Sequence, residues 1–146
     1  MPLSDNAIIE TQEQPVVLKK KIVDGLIRIY KSALLNFEAS NEGYVKLGSD
    51  TLGEKFVGIA LEEKNIVASD NPSDGTFEVE VIQAGSQRLV KLTTTSTITI
   101  ANEGDAVYVD GDDAVDVASG ITNTTGGQVG VIRQFISANK AWVQLT

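Results

Sequence analysis

The sequence predicts an all-β protein with a single folded domain. Short runs rich in valine, isoleucine and threonine recur along its 146 residues, and glycine, asparagine or aspartate separates them at short intervals. There are on the order of ten such runs, which is typical of a barrel or sandwich. No long amphipathic helical pattern accompanies them. We therefore expect a barrel or sandwich of short antiparallel strands.

Residues 1–24 are predicted to form an extended N-terminal arm, of which residues 1 to about 15 differ in composition from the rest. Up to Pro15 the chain is mostly polar, with Ala7-Ile8-Ile9 as the one apolar group available for burial. Pro15 also favours an extended conformation in the residue before it. The apolar segment Val16-Val17-Leu18 follows and could add as a strand to another surface. The β body is expected over residues 25–146.

The first half of the body is predicted to contain six strands. Residues 32–38 have a mixed preference, but glycine and turn residues on either side leave too little room for a stable helix. Residues 56–61 are apolar on both parities, which predicts a strand buried on both faces. Residues 70–75 combine proline with glycine and predict a turn. The predicted strands cover residues 26–30, 32–38, 44–47, 56–61, 77–82 and 89–92, of which the last two are expected to form a hairpin.

The second half repeats the same alternation of short strands and turns. Residues 97–100 alternate polar with apolar side chains and predict a strand. Asp110-Gly111 lies between two β-rich runs and predicts a tight turn in which both central residues accept positive φ. The predicted strands cover residues 97–100, 106–109, 114–117, 127–132 and 141–145, with a turn at residues 137–140.

Composition and charge narrow the function classes. The chain contains no histidine and no cysteine, so the commonest general base, the commonest metal ligands and the thiol nucleophile are all missing. A net charge of −8 opposes nucleic-acid binding, which depends on Lys and Arg neutralising phosphates. No stretch approaches the ~20 apolar residues that span a bilayer, and residues 1–6 do not resemble a secretory signal. We therefore expect no cofactor, nucleic-acid partner or membrane partner.

Several polar clusters could carry chemistry, and in each case a structural explanation is favoured. Asp110, Asp112, Asp113 and Asp116 lack the spacing and terminal Glu of an EF-hand loop and predict a solvated hairpin tip. The glycines of residues 126–130 precede a strand pattern, whereas a phosphate-binding turn needs a helix after it. The sequon at Asn123 is interpreted as a polar loop.

Carboxylate pairs and aromatic side chains leave two further alternatives open. A glycosidase needs two carboxylates that face each other, but the acidic pairs at residues 62–63, 78 and 80, and 103 and 105 are expected to lie in water. Trp142 and the three tyrosines could stack on a sugar, although a place in the core is favoured. The candidate contact residues with the clearest pattern are instead the apolar and basic run Val16, Val17, Leu18, Lys19, Lys20 and Lys21, whose lysines suit an acidic partner surface or simply solvent.

The order of several motifs resembles the head decoration (capsid cement) proteins of tailed bacteriophages. The resemblance covers about residues 25–146. It rests on Gly43-Tyr44-Val45-Lys46, Phe56-Val57-Gly58-Ile59-Ala60-Leu61-Glu62, Gly104-Asp105-Ala106-Val107-Tyr108-Val109, Val129-Gly130-Val131-Ile132 and Ala141-Trp142-Val143-Gln144-Leu145.

The resemblance implies a non-enzymatic virion protein. Members of that family have a small β-barrel or β-tulip body and typically form trimers on the outer face of the capsid, where they clamp neighbouring major capsid subunits. It therefore implies a homotrimer that is made in the host cytoplasm and bound to the major capsid protein. The apolar and basic pattern of residues 16–21, and not the resemblance, makes them the candidate contact with the capsid or a neighbouring protomer. A carbohydrate-binding or adhesin module of a phage or cell surface is the alternative.

Overall fold

The computed structural model describes residues 17–25 and 27–146, and strands dominate them. The three short 3₁₀ helices are Ala68–Asp70, Ile100–Asn102 and Ala118–Gly120. The prediction of an all-β protein is confirmed. The strands are β1 (Val17–Lys21), β2 (Ile27–Ile29), β3 (Leu34–Glu38), β4 (Asn41–Leu47), β5 (Lys55–Ala60), β6 (Lys64–Ile66), β7 (Glu78–Gln83), β8 (Leu89–Thr93), β9 (Ala106–Val109), β10 (Val115–Val117), β11 (Gln128–Ser137) and β12 (Lys140–Leu145).

These strands form two five-stranded sheets and one two-stranded sheet, with antiparallel pairing throughout. The first sheet has the order β1-β7-β5-β3-β4, the second has the order β8-β12-β11-β9-β10, and β2 pairs with β6. A closed barrel, which the sequence predicts, is not found among the described strands. The two edge strands of each sheet meet only at one isolated bridge, between Ile22 and Val45 in the first sheet and between Thr94 and Val115 in the second.

The two large sheets have the same topology and the same register. In the first, Leu35 pairs with Gly58 on one side and Leu47 on the other; in the second, Val107 pairs with Gly130 and Val117. We call residues 17–84 the first unit and residues 89–146 the second unit. Hydrogen bonds outside the strands also recur at equivalent places. The Ser32 amide donates to the Ala60 carbonyl and the Gly104 amide to the Ile132 carbonyl, each at 2.8 Å.

Each unit contains a glycine at the same point of its central strand. Gly58 of β5 and Gly130 of β11 both follow a register irregularity, at Val57 and Val129 respectively. A side chain at Gly58 would overlap the carbonyl oxygen of Ile82, and one at Gly130 would overlap that of Gln144. Since only glycine permits so close an approach of two strands, the shared residue type follows from the shared geometry.

Alternate side chains of β5 pack into two separate hydrophobic cores. Val57 and Ala60 lie in the core of the first unit, whereas Phe56 and Ile59 lie in the core of the second unit. The prediction of a strand buried on both faces is confirmed. The first core also contains Ile22, Ile27, Ile29, Ala33, Leu35, Val45, Ile66, Val79 and Val81, and the second contains Leu34, Ile98, Val107, Val109, Val115, Val129, Ile132, Ala141, Val143 and Leu145.

Three local predictions are wrong. β7 and β8 do not form a hairpin, because each is paired in a different sheet and the link between them passes from one unit to the next. Residues 97–100 are not a strand, since Thr99 begins a 3₁₀ helix and exchanges capping hydrogen bonds with Asn102. The tight turn predicted at Asp110-Gly111 is also not found. β9 and β10 form a hairpin, but its loop covers residues 110–114, in which the amides of Asp110 and Gly111 both donate to the Ala114 carbonyl.

Part of the segment predicted as an arm belongs to the first sheet. All five residues of β1 are in register with β7, and Ile22 directly after it is completely buried. The folded body thus includes Val17–Lys21, because removing β1 would uncover β7 and the core beneath it. Residues 1–16, including Val16, lie outside the described residues. Within the described part of the chain, no helix has the length and apolar character needed to cross a membrane.

The shared strand gives a matched pair of stability predictions. Phe56 and Gln128 occupy equivalent positions at the start of β5 and β11, yet Phe56 is buried between the units while Gln128 is exposed. We expect Phe56→Ala to lower the free energy of unfolding by about 3–5 kcal/mol and Gln128→Ala to change it by less than about 0.5 kcal/mol. Urea titration of both variants measures this difference. Equal losses at the two positions would contradict the assignment of Phe56 to the inter-unit core.

Candidate docking surface

Strand β1 is an edge strand with one side available for pairing. It is paired with β7 on one side, and on the other side it meets β4 only at its end, where the Val23 amide donates to the Val45 carbonyl at 3.1 Å. Along Val17–Lys21 no described strand pairs with that second side. Such an edge presents backbone donors and acceptors that another extended chain can use.

The three lysines of β1 do not share one face. Lys19 and Lys21 point outward and lie in register with Glu80 and Glu78 of β7. Opposite charges placed across a pair of strands attract each other, so this outer surface carries mixed charge and is not a basic patch. The basic run in the sequence therefore overstates the positive charge that the surface offers to an acidic partner.

Lys20 lies on the other face, close to a shallow groove. Its Nζ is 5.8 Å from the centroid of the Phe37 ring, within range of a cation–π interaction. The groove beside this ring has a volume of about 200 Å³ and is lined by Phe37, Glu38, Gly43, Gly53 and Lys55. We call it the Phe37 groove. Of the predicted contact residues, Val17 is 46% exposed and Leu18 is half-buried. Lys20 borders the Phe37 groove, a surface that the sequence does not predict.

A buried carboxylate stands next to this groove. Glu54, only 3% exposed, accepts hydrogen bonds from Asn36 Nδ2 at 3.0 Å, Ser49 Oγ at 2.9 Å and Lys46 Nζ at 2.9 Å. Asn36 is itself completely buried and also donates to the Ser49 carbonyl. Since a buried charge is costly without partners, this set of contacts fixes the loop between β4 and β5 against β3.

The partners of Glu54 determine its protonation. Burial of the carboxyl raises its pKa, but the hydrogen bonds from Asn36, Lys46 and Ser49 and the positive charge of Lys46 outweigh that effect. The pKa of Glu54 is therefore lower than its ordinary value of 4.5, and the group is a carboxylate at neutral pH. Its acceptor capacity is committed to structural contacts.

Asn123 joins the second unit to the same loop. Its buried side chain donates to the carbonyls of Thr51 and Glu54, both at 2.9 Å, and its Oδ1 accepts from the Gly126 amide. Asp50 in turn accepts from the amides of Thr122 and Asn123. The sequon residue lies in a loop, as the sequence predicts, and its side chain is a buried link between the units.

The remaining predicted sites show no assembled chemistry. Asp116 is buried and accepts from Ser96 and Val117, so it does not belong to a solvated tip. Residues 17–25 and 27–146 contain no group of three or more acidic side chains placed to hold a metal ion. Gly127 leads directly into β11, so the loop there is followed by a strand.

The prediction that Trp142 lies in the core is wrong. It is half-buried on the outer face of the second sheet, in register with Lys91, whose Nζ lies 5.9 Å from the ring. Tyr30 is 55% exposed, and Arg28 Cζ lies 4.9 Å from the centroid of the Tyr30 ring. Tyr44 and Tyr108 are half-buried. The aromatic side chains are thus spread over separate surfaces of the protein.

These features define an all-β protein of two equivalent five-stranded units, in which the edge strand β1 is paired on one side among the described strands. In the comparisons with known proteins, no family model matches the chain, and neither a curated protein nor a solved structure does.

The lowered pKa of Glu54 predicts a pH-dependent stability. Because its pKa is lower in the folded state, the carboxylate contributes stability that is fully present above the ordinary value of 4.5 and is lost as pH falls through the folded pKa. We expect Glu54→Gln to be less stable than wild type by about 1.5–3 kcal/mol at neutral pH, with a difference that shrinks as the pH falls below 4.5.

Denaturant unfolding across pH measures this effect. Glu103→Gln is the matched control, because Glu103 is exposed and its loss leaves the Glu54 contacts intact. A stability difference for Glu54→Gln that stays constant through the acid range would refute the proposed ionisation of Glu54.

Proposed function

We propose that this protein is a structural decoration (cement) protein of a tailed-phage head, which binds the outer surface of the assembled shell and clamps neighbouring major capsid subunits. The observation that carries the proposal is the edge strand β1, whose second side is not paired with any described strand along Val17–Lys21 and which residues 1–16 precede directly. An extended segment on either protein can gain main-chain hydrogen bonds at such an edge.

The use of the buried polar groups supports a structural role. The buried Glu54 accepts hydrogen bonds from Asn36 of β3 and Lys46 of β4, and the buried Asn123 donates to the loop that precedes β5. The result is a two-unit body whose surfaces have a fixed relative position. A rigid body that binds only the assembled shell stabilises it by RT ln(1 + [L]/K_d), and joining several copies strengthens this binding. We propose a homotrimer on the virion surface as that multivalent form.

The first test removes the chain that precedes the edge strand. Because Val17–Lys21 are paired with β7, the deletion has to stop at residue 16. We expect the protein that lacks residues 1–16 to stay folded, with an unchanged far-ultraviolet circular dichroism spectrum, and to lose co-sedimentation with expanded, undecorated heads of its cognate phage. Undiminished head binding by this truncated but folded protein would refute the role of residues 1–16 in binding.

A second test addresses the lysines of β1. Lys19→Glu combined with Lys21→Glu places four like charges across β1 and β7, and we expect it to weaken head binding by about tenfold or more. The control is Lys91→Glu, because Lys91 occupies the equivalent position to Lys19 in β8. Binding to heads is measured by co-sedimentation at several salt concentrations. Equal weakening in both variants would show that the β1 edge has no special role.

The carbohydrate-binding alternative rests on Trp142. Its half-exposed ring lies on the outer face of the second sheet beside Lys91 and in register with Gln134, and a ring with polar neighbours is a common sugar platform. Glycan-array binding that Trp142→Ala abolishes, without any affinity for phage heads, would favour this function over the decoration role.

A further inference from the structure

The two units of the chain contact each other through different surfaces. The first unit contributes the outer face of its sheet, where the buried side chains are Leu34, Phe56 and Ile59. The second unit contributes the rim of its core: the Leu34 amide donates to the Asp112 carbonyl at 2.8 Å, and the Phe56 amide to the Gly126 carbonyl at 2.9 Å. Contacts of this kind between equivalent units are heterologous, because each unit uses a surface that its neighbour does not.

Each unit therefore leaves part of one of these two kinds of surface uncovered by the other unit. In the second unit, the outer-face positions equivalent to Leu34, Phe56 and Ile59 are Ala106, Gln128 and Val131. Gln128 is exposed and the other two are half-buried.

In the first unit the uncovered surface is the part of its core rim around Phe37, because residues 51–54 on the same rim already accept hydrogen bonds from Asn123. Val109 lies on the rim of the second core, where the first unit covers it and leaves it 1% exposed. The equivalent rim position in the first unit is Phe37. Phe37 is half-buried and lines the Phe37 groove. One rim is thus covered by a sheet, while the equivalent rim has an open groove of about 200 Å³.

We propose that the outer face of the second unit in one copy docks on the Phe37 groove of a second copy and so continues the contact that joins the units within the chain. The groove is lined by the charged residues Glu38 and Lys55. These residues suit the carboxamide of Gln128 better than they would suit a phenyl ring like that of Phe56, the equivalent residue of the first unit. With Ala106 and Gln128 in place of Leu34 and Phe56, the contact between copies buries less apolar surface than the contact within one chain, so it is reversible.

Repetition of a heterologous contact leads to a defined type of assembly. Depending on its rotation, it either closes a ring of copies or extends as a filament. This inference rests on the self-association included in the proposed function and names the surfaces that produce it. It does not depend on the capsid as partner, and its test contains no heads.

The absence of cysteine from the chain allows a direct test by cross-linking. Phe56 and Gly126 are neighbours within one chain. Their equivalents in the proposed contact are Gln128 of one copy and Glu54 of the other. Because Glu54 is buried, its exposed neighbour Lys55 is used instead. Lys55→Cys and Gln128→Cys are prepared separately, mixed, and treated with a short bis-maleimide. We expect a covalent dimer of twice the 15.6 kDa chain mass in the mixture, beyond what either variant gives alone.

A matched mixture and a second measurement complete the test. Lys55→Cys mixed with Glu103→Cys is the control, because Glu103 is equally exposed but lies outside the outer-face positions Ala106, Gln128 and Val131. Sedimentation equilibrium of cysteine-free proteins is the second measurement, in which Gln128→Arg should lower the association of the protein and Glu103→Arg should not.

Three results would overturn the inference. They are cross-linking no greater than in the Glu103 mixture, association that Gln128→Arg leaves unchanged, and a wild-type mass that stays at 15.6 kDa at every concentration. Head binding by the same variants is measured separately, so a failure here is distinguishable from a failure of the decoration role.

Discussion

The alternate side chains of β5 pack into two different cores, and the arrangement of the whole chain depends on this one strand. Val57 and Ala60 complete the core of the first unit, while Phe56 and Ile59 cover the core of the second. Without the first unit above it, the second unit would expose a row of valines to water, at a cost of about 25 cal/mol for each Å² of apolar surface. The two units are therefore equivalent in topology but not in environment.

The polar contacts beside β5 fix the same junction. Glu54 precedes the strand and is held by Asn36 and Lys46 of the first unit, while Asn123 of the second unit donates to the Glu54 carbonyl. The hydrophobic contact supplies most of the stability, and the polar contacts specify one relative position of the two loops. A body of this kind suits a protein whose proposed role is to hold two partner surfaces at a set distance.

How far the sequence predicts this fold depends on the range of the interactions involved. The doubly buried strand at residues 56–61 and the short strand at residues 32–38 follow from local pattern and length, and both are present. The pairing of β7 and β8 with different sheets does not follow, because alternation shows that a strand has two faces but not which neighbour it joins. The capping exchange between Thr99 and Asn102 competes with the strand pattern and prevails locally.

The candidate docking surface was harder to predict than the fold for the same reason. The run Lys19-Lys20-Lys21 is visible in the sequence, whereas the carboxylates of Glu78 and Glu80 become its neighbours only through the β1–β7 register. The burial of Glu54 and the half-open position of Phe37 likewise depend on contacts between distant segments. The sequence carries one signal of the two units, the repeated alternation of short strands and turns in its second half, which the structure extends to residue-level equivalence.

The central claim is that two equivalent units share one strand and behave as a single rigid body. Native-state hydrogen exchange tests it most directly, by comparing the opening free energies of the amides in β5 and β11 over a series of denaturant concentrations. If the two units unfold as one body, the amides of both strands exchange through one global opening with the same free energy. Protected β11 amides at denaturant concentrations where β5 already exchanges through a partial opening would contradict it.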